Sequence, residues 1–146
     1  MKILTDIITN KYIYIPVLLW LCIQIFKVIY DLIKAKKFNF RRIVGAGGMP
    51  SSHAASVCCL TTLIGKYQGF NNYQFAFVLM FSLIVMYDAC GVRRAAGKQA
   101  NILNKIISTP NLTGVEVQEK LVELLGHTPI EVFVGALLGI IVGIIF

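Results

Sequence analysis

The sequence predicts an all-α integral membrane helical bundle, with about four transmembrane helices and one or two short amphipathic helices, in a single domain over residues 1–146. Three observations carry this reading. The chain is 57% hydrophobic and only 14% charged, where a soluble domain carries about 25% charged residues, and its mean hydropathy is +0.74. Apolar runs of membrane-crossing length recur between turn and capping residues. The net charge of +7 is concentrated in two clusters beside those runs, Lys34, Lys36, Lys37, Arg41 and Arg42, then Arg93, Arg94, Lys98 and Lys105. Cations next to an apolar span suit anionic lipid headgroups. Nucleic acid is the weaker candidate and is not an expected partner.

Residues 1–11 form a short amphiphilic lead with Lys2, Asp6 and Lys11. The first apolar run, Tyr12 to Ile33, exceeds the roughly 20 residues that cross a bilayer. It is too long for a signal peptide and no small-residue cleavage site follows it. Tyr12, Tyr14 and Trp20 suit the membrane interface. Lys27 and Asp31 lie one helical turn apart and can pair, with Lys27 snorkelling to the interface, and the alternative is a functional intramembrane charge.

Residues 34–48 read as a basic, then glycine-rich loop. Gly45, Gly47 and Gly48 do not follow a strand, so a dinucleotide-binding reading fails. Pro50 suits the first turn of a helix and Ser51 or Ser52 its cap, which puts His53 on that first turn. The free N–H groups of such a helix start make an anion site. Residues 51–65 continue as the second apolar helix. Residues 68–72 read as a turn, and 73–90 as a third span ending at Tyr87 and Asp88. Residues 92–100 are basic and helical.

Thr113 and Glu116 have capping-box spacing ahead of an amphipathic helix that Gly126 ends. Thr128, Pro129 and Glu131 open a last span over residues 129–146. Gly135, Gly139 and Gly143 form a small-residue stripe there, suited to close packing within the chain or to a homodimer through the last helix. Of the four cysteines, Cys22, Cys58, Cys59 and Cys90, none has metal-ligand spacing, and free buried thiols are the expectation.

Counting spans brings Lys34, Arg41, Arg42, His53, Arg93, Arg94, His127 and Glu131 to one side of the membrane. Both histidines of the chain are in that set. Fixed cations and helix N-termini suit a highly charged oxyanion, phosphate above all. One histidine can attack phosphorus as a neutral nucleophile while the other protonates the leaving oxygen. Glu131, four residues after His127, either holds one ring nitrogen or serves only the capping box with Thr128. Ser51 and Ser52 cap the helix and touch phosphate. One of Arg93 and Arg94 binds phosphate and the other anchors the chain at the interface. Asp88 either orients an arginine or ends the third span.

With these residues in view, the chain resembles the type-2 phosphatidic acid phosphatase and vanadium-dependent haloperoxidase superfamily, and most closely its small divergent bacterial and plant branch. Lys34 and Arg41 match the lysine and arginine seven residues apart that open the superfamily signature. Pro50, Ser51, Ser52 and His53 match its proline-serine-glycine-histidine, with serine for glycine. His127 and Glu131 match its histidine and acid, with Glu for Asp. The signature arginine, normally six residues before that histidine, stands far upstream here as Arg93 or Arg94, a split the divergent branch shares.

The resemblance implies a metal-independent, cofactor-free membrane phosphatase acting on a lipid phosphomonoester or pyrophosphate. Phosphatidate, phosphatidylglycerophosphate and polyprenyl pyrophosphate represent the substrate class. It implies that His127 forms a phosphohistidine, His53 protonates the leaving group, and Lys34, Arg41 and Arg93 or Arg94 bind the equatorial oxygens. The alternative is a non-enzymatic membrane protein that binds phospholipid headgroups or a partner through a degenerate site. By the positive-inside rule the site faces the cytoplasm of a cell-membrane protein, with both termini outside.

Overall fold

The computed structural model describes residues 2–35, 48–107, 121 and 126–146. Among these there are helices and no strand. In chain order they are α1 (Lys2–Ile8), α2 (Lys11–Ala35), α3 (Ser52–Gln68), α4 (Tyr73–Cys90), α5 (Val92–Ile107) and α6 (Pro129–Ile145). The amphipathic helix expected after Thr113 lies outside the described residues, apart from Leu121 and Gly126. Arg41 and Arg42 lie outside them too.

The chain is an all-helical membrane bundle. The stretches Lys11–Ile33 and Tyr73–Ile106 are each long and apolar enough to cross a bilayer, and α6 is apolar but shorter. On α4 only Ser82 and Ala89 are buried, while Phe77 and Ile84 are 71% and 62% exposed. A helix this apolar and this bare in the folded chain has hydrocarbon as its solvent.

At the centre stands α3, touched by α2, α4 and α6. Its composition explains the position. Small and hydroxylated residues let neighbouring backbones approach, and the hydroxyls satisfy themselves on their own helix. Ser56 donates to the Ser52 carbonyl at 2.9 Å, Thr61 to that of Val57 at 2.8 Å and Thr62 to that of Cys58 at 2.8 Å. The same groups then reach across helices. Ser56 Oγ lies 3.3 Å from the Pro16 carbonyl of α2, and Thr61 shares a 2.7 Å hydrogen bond with Ser82 of α4.

The glycine stripe of α6 packs within the chain. Gly135, Gly139 and Gly143 are buried. A Cβ at Gly135 or Gly139 would overlap the Ser51 or Ala55 carbonyl, and one at Gly143 would lie 2.6 Å from Thr62 Cβ. With that face filled by α3, a pairing of two copies through α6 would use its other side, where Phe133 and Ile144 are exposed.

Local signals set the helix ends. Asn72 caps α4 by accepting from the Phe75 N–H at 2.8 Å, and the turn before it contains Gly69 at φ +89°. Ser51 caps α3 by accepting from the Ala54 N–H at 3.4 Å. Pro50 therefore stands one residue ahead of the cap, not in the first turn, because the cap is the serine whose oxygen reaches that N–H. At the other membrane face the Lys66 ammonium donates to the Ile144 carbonyl at 2.8 Å, a cation on the negative end of α6.

Candidate active site

The start of α6 is built by a capping box. Glu131 N–H reaches Thr128 Oγ1 at 3.3 Å, and Thr128 N–H reaches Glu131 Oε2 at 3.0 Å. The same Oε2 lies 3.1 Å from His127 Nδ1. The two readings of Glu131 are therefore one arrangement, with the oxygen that finishes the helix end also holding the imidazole. An ionised carboxylate can only accept, so Nδ1 carries the proton and Nε2 has the lone pair.

His127 is 2% exposed, and its Nε2 has no hydrogen-bond partner among the described residues. Burial pushes the imidazole below its ordinary value of 6.5. The hydrogen bond and charge of Glu131 pull the other way, and Lys27 and Arg93 add to the lowering. The ring is thus neutral near pH 7, with a bare nitrogen in a dry, cationic setting.

Backbone contacts fix that ring in place. The His127 N–H donates to the Ala89 carbonyl at 2.9 Å, at the end of α4. Gly126 precedes it at φ +88°, and a Cβ there would lie 2.7 Å from the Arg93 carbonyl carbon and would overlap the Arg94 nitrogen. Only glycine meets both demands, so the Gly126–His127 step crosses the α4–α5 junction in close contact. The Ser51 N–H donates to the Glu131 carbonyl at 3.0 Å, which joins the start of α3 to the start of α6.

His53 stands on the first turn of α3 and is exposed. The groups that act on it electrostatically are Arg93, His127, Lys27 and Asp88. The two histidines are therefore within electrostatic reach of each other and share two cations. Arg93, not Arg94, is the arginine that bears on both. Asp88 holds it, with Arg93 Nε donating to Oδ2 at 2.5 Å, so the acid at the end of α4 orients an arginine. Ser51 and Ser52 are buried at 0% and 2% exposure beneath His53. Lys34 falls in the last turn of α2.

Lys27, read from the sequence chiefly as a structural partner of Asp31, also belongs to the surroundings of the histidines. It is 8% exposed, on the α2 face that also buries Ile23 and Gln24, and it acts on both histidines. The signal was present. Pro16, Ile23 and Lys27 lie at helical spacing on one stripe, and a cation on the packed side of a membrane helix points to function more often than to snorkelling.

Fold and site together define a membrane-embedded helical bundle in which a carboxylate-held histidine, a second histidine and shared cations meet at one end. The chain belongs to the Divergent PAP2 family, which matches residues 8–142. It is 40% identical over 133 residues to YuiD, an uncharacterized membrane protein of Bacillus subtilis (strain 168), with 84% of each chain covered. No solved structure matches it.

Proposed function

We propose that this protein is a metal-independent lipid phosphate phosphatase that works through a phosphohistidine. The observation that carries the reading is the buried His127 Nε2, left open by the Nδ1–Glu131 hydrogen bond and set within electrostatic reach of His53. Nε2 attacks phosphorus, the bond from phosphorus to the lipid oxygen breaks, and His53 gives that oxygen its proton. Arg93, Lys27, Lys34 and Arg41 balance the charge on the equatorial oxygens. His53, now neutral, takes a proton from water as the water cleaves the P–N bond, and inorganic phosphate leaves. With Ser51 as the cap of α3, the Ser52 and His53 N–H groups at the start of that helix serve the same oxyanion. The cationic side faces the cytoplasm.

The test is phosphate release by the detergent-purified protein from phosphatidate, phosphatidylglycerophosphate and polyprenyl pyrophosphate, with EDTA present. Turnover of at least one, inhibited competitively by vanadate, is expected. Vanadate-insensitive binding of all three lipids without release would instead favour a headgroup-binding protein.

The pH profile has a defined sign. His127 attacks only when neutral and its pKa lies below 6.5, while His53 must carry the proton it gives up, so kcat/KM has an acid limb set by His127 and an alkaline limb set by His53. In Glu131→Gln both influences that raise the pKa are removed or weakened. The acid limb then moves to lower pH while the maximum drops by about 10–100-fold, as the ring loses the charge that stabilises its developing cation. An acid limb that stays put in this variant would show that the carboxylate does not act on the nucleophile.

A further inference from the structure

We propose that the gap between α2 and α4 is a hydrocarbon-chain site, through which the tail of a lipid phosphate lies along α3 while its head reaches the histidines sideways from the bilayer. The proposal rests on the phosphatase reading and extends it to how the substrate is held.

Three sides of α3 are taken. Ser56 and Cys59 face α2, through the bond to the Pro16 carbonyl and the cluster with Ile15 and Leu63. Cys58 and Thr61 face α4, through Met86 and Ser82. Ala55 and Thr62 face α6, under Gly139 and Gly143. At 100° per residue these three sides leave one stripe, His53, Val57 and Leu60, at i, i+4 and i+7.

On this stripe His53 is exposed and Val57 and Leu60 are half-buried; Ser56 and Thr62, on the faces already taken, are half-buried too, and Ala54, Ala55, Cys58, Cys59 and Leu63 are buried. Among the described residues no Cα of α2 comes within 8 Å of one of α4, so the stripe lies in the space between them. Ile64, the next residue on it, is buried again. The open part therefore runs about 10 Å along the helix from His53.

Its two ends differ in chemistry. Lys27 and Arg93 stand at the His53 end and act on that histidine, and the floor beyond is Val57 and Leu60. An anionic head joined to a hydrocarbon chain complements both. A soluble phosphate ester would leave the apolar part unused, and bulk lipid would have no reason to prefer it to the bare side of α4.

The test uses the full-length protein in mixed micelles with a phosphatidate carrying a diazirine in its acyl chain, and maps the labelled peptides. Labelling is expected on the α3 segment 57–60, competed by dioleoyl phosphatidate and not by dioleoylglycerol. It should persist in His127→Ala, which removes the chemistry and leaves the gap. Labels spread over outward residues such as Phe77 and Phe81, with no excess on α3, would overturn the proposal. As a second measurement, Leu60→Trp should lower the ratio of kcat/KM for dioleoyl over dihexanoyl phosphatidate by about tenfold, and an unchanged ratio would also overturn it. If the wild-type protein hydrolyses neither lipid, the phosphatase reading fails while the labelling pattern still decides the site.

Discussion

Replacing His127 with alanine should remove phosphate release, lowering kcat by about 10⁴-fold or more, the scale at which loss of an attacking group leaves only binding and electrostatic effects. The loss would be chemical and not structural. His127 is held through its backbone N–H on the Ala89 carbonyl, which alanine keeps, and Glu131 keeps its capping bond to the Thr128 N–H. The fold should therefore survive, and thermal unfolding in detergent checks that it does. Acid-quenched protein labelled from a phosphorus-32 substrate should carry acid-labile phosphate in the wild type and none in the variant. In His53→Ala the label should still form from a substrate with a good leaving group and persist, because the group that activates water is missing. Full turnover by His127→Ala would remove the proposed nucleophile.

Much of this architecture was legible from local signals. Helix spans, the Asn72 turn, the Thr128 capping box and the arrival of both histidines on one side follow from periodicity, caps and span counting, and each of these is decided within a few residues. What could not be read depends on contacts between distant segments. Spacing alone leaves Glu131 divided between cap and imidazole, because only coordinates show that one oxygen serves both. Arg93 and Arg94 are adjacent in sequence and equivalent in composition. The coordinates distinguish their surroundings: Asp88, one turn back on the preceding helix, holds Arg93, while Gly126 passes over the Arg94 nitrogen. The glycine stripe announces close packing but not its partner, which proves to be the serine, alanine and threonine face of α3. Pro50 was misplaced by one residue because two adjacent serines can each cap a helix. Lys34 and Arg41, taken from the signature spacing, remain tied to the phosphate only through that spacing.

Lys27 carries the second large effect. Its ammonium lies on the packed face of a membrane helix, and two explanations compete for it, a structural charge and a ligand of the substrate. They differ in what the variant does to His127. Lys27 is one of the groups that lower the His127 pKa, so Lys27→Met, which keeps the length and apolar stem, should raise it. The acid limb of kcat/KM then moves to higher pH, opposite in sign to the shift expected for Glu131→Gln. If the same ammonium also meets the phosphate, kcat/KM should fall by about 10²–10³-fold and vanadate inhibition weaken in parallel, the scale for removing one preorganised charge from a dry site. Lys27→Arg should recover part of both, since it restores charge with a different shape. A purely structural lysine predicts another pattern, a lower unfolding temperature with the acid limb and the vanadate affinity unmoved. The two limbs shifting apart, one for the acid beside the imidazole and one for the cation behind it, would locate the titrating group at His127 without reference to any assumed substrate.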